Sequence, residues 1–227
     1  MSVENISVSI PHLFQLQNVI NKSLERKTKT SYMNFKYFEN ADQLLSQVDN
    51  QVECACCHLT KKCFEATLHF VVCSDCLTTN QLYNLDTTNC NGDINELKKQ
   101  IKYLNSNYTE KEIDKIAKEK TEELEKTTPH LVTWQDWDWP CSDGDYCKFI
   151  GYGSKALYNK LSKNDGKTLF TNSMYKHLKD SDTEYLWDEI MSEDEIINYE
   201  DSSQYGTLFY VFKSLNSENI VTVWDCD

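Results

Sequence analysis

The chain has 227 residues, of which 40% are hydrophobic and 12% aromatic, and a formal net charge of −13. That length and apolar content can bury a core, in one large domain or two small ones, and exclude a disordered chain. No apolar run approaches the ~18 residues of a membrane helix, and the negative charge disfavours nucleic-acid phosphates as partners.

Residues 1–33 read as an N-terminal helical extension. Pro11 suits a first helical turn, and Leu13, Leu16, Ile20 and Leu24 recur at spacings of 3, 4 and 4. Arg26-Lys27-Thr28-Lys29 then suits the negative end of the helix dipole. Residues 33–38 are aromatic-rich and expected to be extended.

The zinc-ribbon region, residues 34–92, carries the firmest motif. Cys54 and Cys57, then Cys73 and Cys76, give C-x2-C twice with fifteen residues between, within the spacing of a structural zinc ribbon. Two thiolates on one tight turn point inward. A hairpin through Phe64 to Val72 brings back the second turn, and four sulfurs close a tetrahedron around zinc at about 2.3 Å. Such a site leaves no position for water, so it builds structure. Cys56, His58 and His69 are neighbours able to replace one sulfur. Phe70-Val71-Val72 is a strand run. Cys54 and Cys57 alone also read as a redox C-x-x-C, but the second pair favours metal.

Residues 93–127 predict a helical hairpin. Asp93 and Glu96 make a capping-box pattern ahead of Leu97, Ile101 and Leu104. A break at 105–107 follows, and Thr109 with Glu112 opens a second helix bearing Ile113, Ile116 and Leu124. Its surface mixes Lys and Glu, as a solvated helix does. The thin apolar stripes predict partial burial.

Residues 128–227 form a C-terminal α+β region. Trp134, Trp137 and Trp139 imply a buried aromatic cluster or an exposed recognition surface, of which burial is commoner. Short helices are expected to begin near Ser154 and Ser192. A C-terminal β-hairpin is expected over 208–212 and 220–224, turning at 216–219. The fold class is therefore α+β, a zinc-ribbon hairpin and a C-terminal hairpin packed with several short helices, with 34–227 able to form one domain.

Between Asp180 and Asp201 lie ten Asp or Glu residues and no Lys or Arg. Asp182, Glu184, Asp188, Glu189, Glu193 and Asp194, with Trp187 and Tyr199 as aromatic anchors, are the candidate partner-binding residues. Concentrated charge of this kind favours a basic partner and speeds encounter. The alternative is a solvated acidic surface on ordinary amphipathic structure.

Ten cysteines would suit a secreted disulfide framework. The chain is long for one, and its amino terminus lacks an apolar h-region and a small-residue cleavage site. A reducing cytoplasm is the expected location. No H-E-x-x-H, P-loop or G-x-S-x-G occurs, and Pro140-Cys141 with Cys147 fails the deaminase spacing. A non-catalytic protein is expected; a zinc-dependent enzyme, in which His130, Asp136 and Cys141 would be the nearest nucleophile-and-base set, is one alternative. A zinc-ribbon nucleic-acid or regulatory module is the other.

In their order, the motifs resemble those of the CbrC family of small bacterial proteins. They are Phe35-Lys36-Tyr37, Cys54-Ala55-Cys56-Cys57-His58, Cys73-Ser74-Asp75-Cys76, Thr128-Pro129, Trp134-Gln135, Trp139, Cys141, Cys147, Phe149-Ile150-Gly151 and the terminal Asp225-Cys226-Asp227. The first cysteine motif in the family reads C-x-C-C-G, with glycine where this chain has His58. The family's late cysteine pair falls on Ser214 and Ser217, which are poor zinc ligands. If those late cysteines share a second metal with the pair at Cys141 and Cys147, this chain has lost it; the alternative is buried thiols beside the tryptophans. The resemblance implies a cytoplasmic protein linked to tolerance of a DNA-cleaving colicin. It thus implies an immunity or toxin-tolerance protein, whose partner would be a basic, nuclease-like toxin domain.

Overall fold

Three small antiparallel sheets, interleaved with short helices, make up the described part of the chain, an α+β fold as expected. The computed structural model describes residues 33–67, 70–79, 81–84, 91–133, 135, 137–175, 180–198 and 206–226, all within the compact unit Met33–Asp227. The helix expected after Pro11 lies outside the described residues, as do Trp134, Asp136, His69 and Tyr199.

Tyr37 and Phe38 are fully buried, and Phe38 bridges Phe149 in parallel. A short helix α1 (Ala41–Leu44) leads into the first sheet: β1 (Gln47–Glu53), β2 (Thr60–Thr67) and β3 (Phe70–Cys73), in that order. The expected hairpin is β2–β3, and β1 adds an edge strand to it. Helix α2 (Ser74–Thr78) follows β3 directly, and a 3-10 turn (Gln81–Asn84) follows α2.

The helical hairpin is α3 (Ile94–Leu104) and α4 (Glu110–Thr127). Both caps form where the sequence places them. The Asp93 carboxylate accepts from the Glu96 N–H at 3.1 Å. Thr109 and Glu112 complete a reciprocal box, with bonds of 2.8 and 3.3 Å. Each such cap satisfies N–H groups that the helix itself cannot, for about 1 kcal/mol. Only a narrow stripe is buried: Leu97 and Ile101 on α3, and Ile113, Ala117 and Leu124 on α4.

Next, β4 (Cys141–Ser142) and β5 (Asp145–Tyr146) pair through a two-residue turn. Asp143 and Gly144 occupy it with φ of 55° and 77°, the left-handed pair that Asp-Gly supplies to a tight hairpin. β6 (Lys148–Tyr152) then joins β7 (Thr207–Lys213) and β8 (Ile220–Cys226) in the order β6-β7-β8. Between β6 and β7 come α5 (Lys155–Ser162), α6 (Gly166–Ser173) and α7 (Asp180–Tyr185), the last running into a π-turn over Leu186–Ile190. Ser154 caps α5 as expected, accepting from the Leu157 N–H at 3.1 Å. The helix expected to begin near Ser192 is not there. Ser192 follows the π-turn, because the helical segment lies earlier, where Leu186 and Trp187 turn inward.

The third sheet is covered on both faces. Tyr210 and Phe212 of β7 point into the main core with Phe35, Phe149 and Trp139. Phe209 and Val211 point into a second core with Tyr158, Phe170 and Trp187. Side chains alternate across a strand, so a run of apolar residues marks one buried on both sides. Trp139 is fully enclosed, donating from Nε1 to the Cys147 carbonyl at 2.7 Å, and Trp137 packs on Tyr210 and Phe212. The tryptophan cluster is core in its described members.

Candidate metal centre and acidic face

Cys54 follows β1 directly, and the chain then turns sharply. The His58 N–H donates to the Cys54 carbonyl at 2.8 Å, the Cys54 N–H donates to Leu59 at 3.0 Å, and the Ala55 N–H donates to Val71 at 3.0 Å. The last bond pins the turn against β3. His58 closes it in the left-handed region, φ 59°. On the other side Cys73 ends β3 and caps α2, so Cys73 and Cys76 stand three apart on one helical face.

The four sulfurs of Cys54, Cys57, Cys73 and Cys76 therefore meet within 4.8 Å of one another. Cys57 Sγ and Cys73 Sγ are 3.9 Å apart. A tetrahedron with metal–sulfur bonds near 2.3 Å has edges of about 3.8 Å, so the spacing fits a single ion. Cys54, Cys73 and Cys76 are buried and Cys57 half-buried. All nine cysteines among the described residues are free thiols.

Electrostatics agree with this donor set. Burial works to raise the Cys54 thiol, but the backbone N–H groups of Cys73, Cys57 and Cys56 outweigh it and bring it down to about 6. The Cys73 N–H reaches this sulfur at 3.3 Å. Burial raises Cys73 and Cys76. One thiolate thus forms readily, and the others need a cation to ionise beside it. Soft sulfur donors at this spacing suit a soft d10 ion. The His58 ring is directed at Glu53, 3.1 Å away, and is largely exposed, so it is not one of the four. The Cys56 thiol is 3.6 Å from the Gln81 carbonyl oxygen.

A second convergence surrounds Asp143. Its carboxylate accepts from Ser217 at 2.6 Å, Ser214 at 2.8 Å, Ser142 at 2.9 Å and Asn219 at 3.1 Å. The hydroxyls of Ser217 and Ser214 hold the Asp143 carboxyl below its ordinary value. The positions that resemble the family's late cysteines thus do meet the 141–147 loop, as hydroxyls on a carboxylate. Among the described residues only the Cys54 set gathers as a metal site; Cys141 and Cys147 are buried thiols. Cys141 Sγ is 3.7 Å from the Tyr175 hydroxyl, which donates to Asp93 at 2.9 Å. These groups line a groove of about 490 Å³ with Glu96 and Gln100. Burial pushes the Cys141 thiol up to about 12. His130 is elsewhere, lining a small cavity with Phe38, Leu44 and Glu65, so it is not brought to Cys141.

In the acidic segment, Asp182, Glu184, Asp188, Glu189, Glu193, Asp194 and Glu195 are all exposed. Lys167 pairs with Glu184 at 3.2 Å and Asp188 at 2.9 Å, and Lys155 pairs with Glu193 at 2.6 Å. Asp182, Glu189, Asp194 and Glu195 form no ion pair among the described residues. Trp187 is a correction: it is only 7% exposed and packs on Tyr158 and Phe170. An indole that fills the second core is no surface anchor. Among the described residues the exposed apolar groups of the segment are Tyr185, at 58%, and Ile197, at 57%.

One buried carboxylate escaped the sequence reading as a structural centre. Asp225, 1% exposed, accepts from Trp137 Nε1 at 3.3 Å and from the Tyr210 hydroxyl at 3.3 Å. Gln135 donates to the neighbouring Cys226 carbonyl at 2.6 Å. The tryptophan motif and the terminal acidic motif are thus one hydrogen-bonded unit.

Among the described residues no helix is long and apolar enough to cross a membrane. A family model described as "Uncharacterised protein family (UPF0167)" matches residues 32–226. No curated protein and no solved structure matches the chain.

Proposed function

The chain belongs to the UPF0167 family, which is the CbrC family its motifs resemble, and from that premise we propose that it is a non-catalytic binding protein of the reducing cytoplasm. It is held together by one structural zinc ion and neutralises a basic, nuclease-like toxin domain by direct contact. The observation that carries this reading is the exposed set of carboxylates from Asp182 to Glu195, with exposed Tyr185 among them and exposed Ile197 just beyond.

Each part of the segment has a task. Asp182, Glu189, Asp194 and Glu195, unpaired among the described residues, supply the field that draws in a cationic surface. The Lys167 pairs are exposed and worth little, and Glu193 is exposed on its side of the Lys155 pair, so Glu184, Asp188 and Glu193 can exchange these lysines for a partner's arginines. Tyr185 and Ile197 supply apolar contact between the charges. Cys54, Cys57, Cys73 and Cys76 would hold the zinc, whose role is to cross-link the first sheet. Burial holds the Cys141 thiol at about 12, so this one residue is a poor nucleophile at neutral pH.

The test uses the purified nuclease domain of a DNA-cleaving colicin as probe. Reversing charge in D182K/E189K/D194K/E195K should slow association about 10-fold or more at low salt, with zinc content and circular dichroism unchanged. Association that is the same for both chains across a salt series would rule out this face.

A further inference from the structure

One face of α3 is left open. Glu96, Gln100 and Tyr103 recur at spacings of 4 and 3 and so share that face, while Leu97 and Ile101 turn into the core. Gln100 clamps the β4–β5 hairpin alongside, donating to the Cys141 carbonyl at 3.1 Å and accepting from the Gly144 N–H at 3.2 Å. The groove of about 490 Å³ beside Cys141 adjoins a second hollow of about 560 Å³. Glu96, Gln100 and Ser142 line both, so the two make one trough.

The trough changes character along its length. Its first part carries Asp93, Glu96, Asn172 and Asn219 beside Met174 and Val221. Its second part holds Tyr103 and Leu104 with Asp143. Tyr103 is 88% exposed and Leu104 52%, large apolar groups left in water. The carboxylates are positioned in advance. The Tyr175 hydroxyl holds Asp93 Oδ2 at 2.9 Å. Four donors crowd Asp143 Oδ2, while among the described residues Asp143 Oδ1 has only Asn219, at 3.5 Å. Against these three carboxylates the lining sets one cation, Lys99, itself largely exposed and paired with Glu96.

We propose that this trough receives an extended segment of a cationic protein partner, with a basic side chain among Asp93, Glu96 and Asp143 and an apolar one against Tyr103 and Leu104. The proposal rests on the toxin-binding reading and deepens it, giving the basic partner a second point of contact. From Asp93 to Leu104 the helix rises about 16 Å, the span of about five extended residues. A guanidinium suits the charged part, because its planar fork bonds carboxylate oxygens in pairs and its alkyl stem can lie on Met174 and Val221. The acidic face is within reach. Lys167, near the start of α6, pairs with Glu184 and Asp188, and Asn172 and Ser173, at its end, line the trough, about 9 Å farther along the helix. A standard interface covers about 800 Å² per partner, a patch about 30 Å across. The acidic segment would then speed encounter, and the trough would slow release.

Hydroxyl-radical footprinting of the full chain, with the purified nuclease domain of a DNA-cleaving colicin as probe, separates the two contacts. Tyr185 reports the acidic face and Tyr103 the trough, and both rings are largely exposed in the free chain. In the complex both should oxidise about 5-fold more slowly, since a packed interface excludes water. The variant Glu96→Gln/Tyr103→Ser should dissociate about 10-fold faster than wild type, with association within about twofold and its denaturant midpoint kept. Tyr103 oxidised at its free rate while Tyr185 is protected, or equal dissociation from both chains, overturns the trough and leaves the toxin reading standing. A wild-type chain that forms no complex with the nuclease domain brings down the toxin reading and the trough's occupant with it, so the two failures are distinguishable.

Discussion

The Cys54 cluster and the Asp143 cluster solve one structural problem with opposite signs. In each, a tight turn is fastened to a hairpin by groups that converge on a point. At the first, the 54–58 turn meets β3 and α2 through four sulfurs. At the second, the 142–144 turn meets the loop between β7 and β8 through Ser214, Ser217 and Asn219. The converging groups of the first are potential anions, so the centre that suits them is a cation. Those of the second are neutral donors, so their centre is the Asp143 carboxylate, already part of the chain. A covalently built centre cannot be removed by a chelator. It is removed by protonation.

The largest effect should come from breaking the first cluster. Zinc binding to such sites is worth on the order of 10 kcal/mol and is coupled to folding, against a total stability of about 5–15 kcal/mol for a typical domain. Cys73→Ser, or a chelator acting on wild type, should therefore abolish zinc binding and strip amide-exchange protection from β1, β2 and β3. Protection in β7 and β8 should survive better, since their ladder and the second core on one face involve no metal-site cysteine. Equal loss in both sheets would show that the two regions are one cooperative unit. Full zinc retention in the Cys73 variant would remove that residue from the site.

Breaking the second cluster should cost less. Ser214→Ala/Ser217→Ala removes two hydrogen bonds to a charged group, for about 1.5–3 kcal/mol each at most, and less here because Asp143 is only half-buried. Zinc content should not change. The sign of the pH dependence follows from the lowered carboxyl. A depressed folded value adds stability above the ordinary 3.8, and that gain is lost as pH falls through the lower folded value. The stability difference between wild type and the double variant should therefore narrow below pH 3.8. The Asp143 carboxyl carbon, followed by NMR, should titrate closer to 3.8 in the variant. Identical titration in both chains would mean that the serines do not hold the charge.

What could be read in advance depended on how far apart the interacting residues are. The cysteine spacing and the caps at Asp93, Thr109 and Ser154 are local, and each lies where the sequence puts it. The C-terminal hairpin was legible from two apolar runs around a polar turn. Strand β1 was not, since Gln-Val-Asp-Asn-Gln-Val-Glu has two β-branched residues in seven and pairs only along one edge. Ser214 reaches Asp143 across 71 positions, a contact that no local pattern encodes. Trp187 misled for the same reason: its acidic neighbours are local, while Tyr158 and Phe170, which bury it, are not.

The smallest prediction concerns the turn that shapes the first cluster. His58 occupies the left-handed region at φ 59°, where a β-carbon costs roughly 1–2 kcal/mol and where the resembled family carries glycine. His58→Gly relieves that strain but gives the unfolded chain more freedom. Its contact with Glu53 is exposed and contributes little. The balance should be a gain of about 0.5–1 kcal/mol in the zinc-loaded chain, read as a higher denaturant midpoint with an unchanged slope. His58→Ala keeps the β-carbon and should show no such gain. The Asp143 turn supplies the contrast: there Asp143 and Gly144 are both left-handed, but the Asp143 side chain is itself the centre of the cluster. Asp143→Gly should therefore destabilise, although it relieves the same backbone strain. If both glycine variants shift stability the same way, backbone strain and not the identity of the centre governs the two turns.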